Sequence, residues 1–118
     1  MEQVDFITLE SGDDLIVSFA IRRDDPREIR SLTLLRTPKY EFALDESERG
    51  VHVSDEDCLD DDDNYLEAVE FRGEEVRLVC RNSEFRLSCR GISAEELADA
   101  KKILGAMNFD KRFSLDLD

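Results

Sequence analysis

The densest set of chemistry-bearing side chains lies in the run DEDCLDDDDNY, residues 55–65. Asp55, Glu56, Asp57, Asp60, Asp61, Asp62 and Asp63 surround Cys58, and Tyr65 closes the run. No Lys or Arg interrupts it, and its seven carboxylates equal half of the chain's net charge of −14. Crowded carboxylates can ligate a hard cation, imitate phosphates or steer a basic protein. A calcium loop of the EF-hand type needs oxygen ligands at positions 1, 3 and 5, Gly at 6 and Glu at 12. Counting from Asp60 supplies Asp60, Asp62 and Asn64, but Tyr65 replaces the glycine and Phe71 stands where the glutamate belongs. The flanking residues read as strands rather than helices, so any cation response is expected to be weak and no dedicated metal site is assigned. Zinc fits no better, because one His and three Cys show no C-x-x-C or H-x-x-x-H spacing.

Nucleophilic and acid–base chemistry finds little support. His52 lies between Val51 and Val53, which turns it to the polar face of a short strand. There is no Gly-rich phosphate loop, Walker motif or nucleophile elbow. The chain is therefore read as non-enzymatic, with no cofactor. Cys80 and Cys89 fall on apolar strand positions, where a thiol behaves as a small hydrophobe; Cys58 alone is expected to be exposed.

Charge then sets the class of partner. A pI near 4.4 repels nucleic-acid phosphates and anionic membranes, so direct binding to either is not expected. It favours encounter with a positively charged protein. The acidic run has two readings on this basis: a solvated loop with no partner, as like-charge blocks commonly are, or a patch for Arg and Lys of a basic protein, edged by Tyr65 and Leu66. The N-terminus MEQVDFITLE has no basic n-region or apolar h-region. No apolar run reaches the roughly 20 residues that span a bilayer. Three sparse cysteines fit a reducing compartment, and a cytoplasmic location is expected.

The elements that must position these residues can be read along the chain. At 118 residues, residues 1–118 are expected to form a single α+β domain. VDFITLE (4–10) and DLIVSFAIRR (14–23) alternate around an SGDD turn, EIRSLTLLR (28–36) follows, and TP (37–38) ends it. KYEFALD (39–45) reads as another strand, with Tyr40, Phe42 and Leu44 on one side. RGVHVS (49–54) precedes the acidic run. In residues 65–91, two-residue turns at Gly73–Glu74 and Asn82–Ser83 predict a three-stranded meander. They pair Phe71 with Val76, Val69 with Leu78 and Glu70 with Arg77, then Cys80 with Phe85, Leu78 with Leu87, Val76 with Cys89, Arg81 with Glu84 and Glu75 with Arg90. Outside this sheet Arg77, Arg81, Arg86 and Arg90 are expected to form salt bridges, and Leu66, Ala68 and Val79 an apolar patch that suggests a homodimer. Ser93 and Glu96 form an S-x-x-E capping box, and Leu97, Ala100, Ile103, Leu104 and Met107 make one helical stripe ending near Asn108. Phe113, Leu115 and Leu117 alternate as a final edge strand. The expected architecture is mainly antiparallel, a meander of about six to eight strands with one C-terminal helix on one face.

The LTLLR strand, the GVHV segment opening the acidic run, AVEFRGEEVRLVC with EFRLSC, and the terminal helix ISAEELADAKKILGAM give a layout over Leu32 to Met107. It resembles the small acidic immunity proteins of bacterial polymorphic-toxin systems, in particular the family called immunity protein ten. That resemblance implies a non-enzymatic protein that binds and silences a cognate toxin. The partner-binding residues expected are Asp55, Glu56, Asp57, Asp60, Asp61, Asp62, Asp63 and Tyr65, acting on a basic toxin domain. An acidic DNA mimic, or an adaptor without a toxin partner, is the alternative.

Overall fold

A computed structural model describes residues 1–25, 27–58 and 63–117. The alternating stretches become β1 (Glu2–Ser11), β2 (Leu15–Arg22) and β3 (Ile29–Arg36), paired antiparallel in sequence order. β4 (His52–Asp55) pairs with the outer edge of β3. β5 (Leu66–Arg72), β6 (Glu75–Cys80) and β7 (Glu84–Ser88) form the expected meander, followed by α1 (Ala94–Met107) and the short β8 (Ser114–Asp116). The class is α+β: a sheet with one long helix packed against it.

The spatial order of the eight strands is β4-β3-β2-β1-β7-β6-β5-β8. Two of its joints are parallel, which corrects the expectation of one antiparallel meander. Glu2 and Gln3 of β1 lie beside Leu87 and Ser88 of β7, and Ala68–Glu70 of β5 beside Ser114–Asp116 of β8. Both partners are far apart in sequence, and local turn signals report only neighbouring strands. The sheet also meets itself. Val53 N donates to Asn64 O (2.8 Å) and Leu66 N to Val51 O (2.9 Å), with His52 opposite Tyr65. β4 is thereby joined to β5, and seven strands form a ring. β5 hands its outer edge from β4 at residues 64–66 to β8 at residues 68–70.

A break in register between Leu66 and Ala68 lies at this handover. Such bulges add local bend and twist, as ring closure requires. This one turns Leu66 inward opposite Cys80, where it is buried. The outward trio Leu66, Ala68 and Val79 expected as a self-association patch therefore does not form. A second irregularity, between Val4 and Phe6, turns Phe6 out and lets Ile7 and Leu9 pack on the core.

The first hairpin has the expected register, with Gly73 at φ +60° at its first turn position. The second is displaced by two residues: Leu78 faces Phe85 and Val76 faces Leu87. Its turn centres on Arg81–Asn82, because Cys80 N bonds Ser83 O (2.8 Å). The cause is tertiary. Arg81 N donates to Tyr65 O (2.9 Å), while the Asn64 side chain accepts from Asn82 N (2.9 Å) and donates to Ser83 Oγ (2.8 Å). An even displacement keeps every side chain on its face, so the core prediction survives while the Arg81–Glu84 and Glu75–Arg90 pairs do not. Arg77 instead lies opposite Arg86 and Glu70 and takes Glu84 diagonally.

Residues 39–45 are not a strand. Pro38–Ala43 and Glu46–Glu48 are 3-10 turns, and Tyr40, Phe42 and Leu44 are exposed. Pro38 occupies the first turn, where its fixed φ is suited and its missing N–H is not needed. α1 begins as predicted, with Ser93 Oγ accepting from Glu96 N (3.1 Å). The return bond of the capping box is replaced by Ser93 Oγ donating to the Glu96 carboxylate (3.3 Å). Ala100, Ile103, Leu104 and Met107 bury against the core, and the helix lies across β1 and β2. Val4, Phe19, Leu32, Leu34, Val53, Val69, Phe71, Leu78, Leu87 and Phe113 share that core with them. Among the described residues no helix is long and apolar enough to cross a membrane.

Candidate interaction surface

β3 carries Arg30, Leu32, Leu34 and Arg36 on one face, with the two leucines in the core and an arginine at each end. These two arginines organise the polar parts of the molecule. The Arg36 side chain is 0% exposed. Its Nε and Nη2 donate to Glu41 (2.9 and 2.8 Å), Nη1 and Nη2 to Asp110 (2.9 and 2.8 Å), and Nη1 to the carbonyl of Met107 (2.7 Å). All five guanidinium N–H groups are thus used. The Phe109 ring covers the guanidinium at 4.2 Å. One side chain therefore ties β3 to the first 3-10 turn, the C-terminus of α1 and the tail. Gly50, at φ +133°, adds an N–H to Glu41 (3.3 Å), and a Cβ there would need this unfavourable conformation beside the Tyr65 ring.

Charge follows geometry. Burial alone would raise the pKa of Glu41, but hydrogen bonds from Arg36 and Gly50 and the Arg36 charge outweigh it and hold the carboxyl below its ordinary value. Hydrogen bonding from Arg36, then from Arg112, holds Asp110 well below the usual carboxylate range. Burial opposes the charge of Arg36, yet Asp110 and Glu41 raise its pKa further.

At the other end, Arg30 Nε and Nη2 grip Asp55 (2.9 and 2.8 Å), and Nη1 reaches Glu2 (2.7 Å). Asp55, expected as a partner-binding carboxylate, is turned inward and 7% exposed. Burial would raise its pKa, but Arg30 and the Asp57 N–H lower it. Its position explains the correction: Asp55 is still in β4, opposite Leu32, so its side chain faces in. Glu56 accepts from Ser31 N (2.8 Å), and Asp57 forms a two-pronged pair with Arg23 (2.7 and 3.3 Å). Asp60, Asp61 and Asp62 lie outside the described residues. Asp63 is exposed and accepts from Asn82 Nδ2 (3.0 Å). Cys58 is exposed, while Cys80 and Cys89 are buried, and burial pushes the Cys89 thiol up to about 11. Among the described residues no group of three or more His, Cys, Asp or Glu is arranged to hold a metal ion.

Tyr65 is half-buried at the ring closure. Its ring meets His52 edge-on at 5.8 Å, and the Arg81 guanidinium lies over it at 4.7 Å. Leu44, Ser47, Glu48, Asp63, Tyr65 and Arg81 line a cleft of about 450 Å³. The 3-10 segment and the end of the acidic run, separate in sequence, meet across it. Sequence reasoning named Tyr65 as an edge of the acidic run, but gave Arg36 no role and did not foresee the parts that Asn64 and Arg81 play at the closure. For Arg36 a signal existed: it continues the alternation of Leu32 and Leu34, so a strand extending to residue 36 puts it on the core face. Asn64 and Arg81 gave none, because their roles depend on closure of the ring.

No family model matches the chain, and no curated protein or solved structure matches it. The resemblance to immunity proteins therefore stands on the sequence layout alone.

Proposed function

We propose that the chain is a non-enzymatic, immunity-type protein that binds and silences a basic bacterial toxin domain. The observation that carries this reading is the distribution of charge. Residues 65–91 hold five acids and five arginines, whereas residues 38–63 hold eleven acids against Lys39 and Arg49. Arg23, Arg30, Arg36 and Arg112 fold against that segment, yet its eleven acids still outnumber the six bases, and it supplies Leu44, Ser47, Glu48 and Asp63 to the cleft that Tyr65 and Arg81 complete. A one-sided field of this kind accelerates encounter with a positively charged protein and orients it. The docked partner then covers the Tyr65 side of the ring, and its active site is occluded by contact rather than by chemistry. Phosphate mimicry is less well supported, since Asp55 and Asp57 are already matched by arginines and Glu56 by a backbone N–H.

The test is to recover the protein with its partner from the native cell, identify that partner by mass spectrometry, and follow association by stopped flow at rising salt. A basic toxin domain whose association rate falls at least about tenfold from low to high ionic strength is expected. A rate that does not change with salt, or an acidic partner, removes the reading. Growth of cells producing the toxin domain should be restored by this chain and not by a charge-reversed variant of Glu48 and Asp63, the two acids that line the cleft.

A further inference from the structure

We propose that Tyr40, Phe42 and Leu44 are the anchoring surface for that partner. What seats on them is a protein segment with an apolar side chain flanked by Lys or Arg. The inference rests on the basic-partner reading and adds where and how the partner is held.

Phe42 is 81% exposed, Tyr40 60% and Leu44 40%, with Phe109 at 58% beside Arg36. Three of the eight large apolar side chains exposed among the described residues thus fall within the five residues 40–44, and such concentrations of exposed apolar surface mark interaction sites. Their exposure is built in. Glu41, between Tyr40 and Phe42, is fixed by the buried Arg36. Thr37 Oγ1 donates to Asp14 (2.6 Å), Lys39 pairs with Asp13 (3.2 Å), and Arg49 donates through Nε and Nη2 to Leu44 O (3.3 and 3.1 Å). Arg112 Nη1 reaches the carbonyl of Glu46 (3.0 Å). The turn is thus held at its start, middle and end while its aromatic side chains project outward. A surface ordered before binding loses less entropy when a partner arrives, and exposed aromatics are the side chains that dominate interface energetics.

The charge around the anchor selects the occupant. Asp45, Glu46 and Glu48 follow it directly and are exposed, with Arg112 beside Glu46, and Glu48 and Asp63 line the cleft together with Leu44 and a single cation, Arg81. A second copy of the chain would bring the same acids against them, at a net −14 per molecule. A basic segment instead satisfies the acids, while its apolar side chain enters the cleft of about 450 Å³ between Leu44 and Tyr65.

The experiment uses the full chain, isotope-labelled for NMR, and three probes: a peptide alternating Leu and Lys, polylysine, and a peptide alternating Leu and Glu. The Leu–Lys peptide should shift amides of residues 40–48, 63–65 and 81, polylysine should bind more weakly, and the Leu–Glu peptide should not bind. Phe42→Ala should weaken the Leu–Lys peptide about tenfold or more while leaving the thermal midpoint unchanged. Shifts confined to residues 55–58 or to the meander, or unchanged affinity in Phe42→Ala, overturn the anchor and leave the basic-partner reading standing. Binding by neither basic probe overturns both. Concentration-dependent shifts at residues 40–44 without peptide would assign the surface to a second copy and overturn the proposal.

Discussion

Arg30 and Arg36 stand at opposite ends of one strand, on one face, each gripping two carboxylates, yet they hold the molecule in different ways. Arg30 keeps 15% of its side chain exposed and joins β3 to β4 and to the start of β1. Arg36 is wholly enclosed and joins four separate parts of the chain, among them the carbonyl end of α1, where a cation also complements the helix dipole. Water can partly replace the Arg30–Glu2 contact at the rim and reach the edge of the Arg30 guanidinium, although Asp55 itself faces inward. An enclosed ion pair has no substitute, because removing one partner leaves a buried charge unmatched.

The comparison breaks if the two arginines prove equivalent. Arg36→Ala should cost about 3–5 kcal/mol in urea unfolding, the range for breaking a buried pair. Restoring neutrality with Arg36→Met, Glu41→Gln and Asp110→Asn together should recover much of that loss. Arg30→Ala should cost about 2 kcal/mol, as expected for hydrogen bonds to a charged group that water partly replaces. A loss as large as that of Arg36→Ala would show that exposure does not separate the two clamps.

Acid sharpens the same contrast. Glu41, Asp110 and Asp55 all titrate below their ordinary values. Their contribution is therefore complete above the unfolded carboxylate pKa of about 4 and is lost as pH falls through the lower folded values. Urea midpoints should be level near neutrality and drop below about pH 4. Arg36→Met should flatten most of that drop and Arg30→Met less, because Arg36 depresses two of the three groups. Equal slopes in the two variants would contradict the assignment.

Smaller effects belong to the closure and the anchor. Asn64→Ala removes the side chain that accepts from Asn82 N and donates to Ser83 Oγ and should cost about 1–2 kcal/mol, with faster hydrogen exchange at Val53 and Leu66. Unchanged exchange there would mean that the ring closes without Asn64. Phe42→Ala should alter stability by no more than about 0.5 kcal/mol, since Arg36 and Glu41, not the exposed ring, hold the turn.

Much of this was legible in the sequence where the governing contacts are local. The β1–β2 and β5–β6 hairpins, the Ser93 cap and the stripe on α1 follow from alternation, turn residues and helical spacing. Residues 39–45 were misleading for a physical reason. Tyr40, Phe42 and Leu44 have strand period, but no sheet edge receives them, and Glu41 is drawn to Arg36. The displaced second hairpin, the inward Leu66 and both parallel joints depend on residues remote in sequence. Of the acidic run, its composition was legible; that Asp55 belongs to β4 and faces inward depended on the pairing of β4 with β3.

The parallel joint between Glu2–Gln3 and Leu87–Ser88 sets an order in time. During synthesis at about 5–20 residues per second, β1 waits on the order of ten seconds before β7 exists. For that interval its free edge lies beside growing β-structure, the situation in which strands pair with the wrong chain. The part of this sequence made before β7 is strongly acidic, with twenty-three acids against ten bases in residues 1–83. Mutual repulsion then keeps unfinished chains apart, so the charge proposed to attract a partner also protects the ring before it has closed.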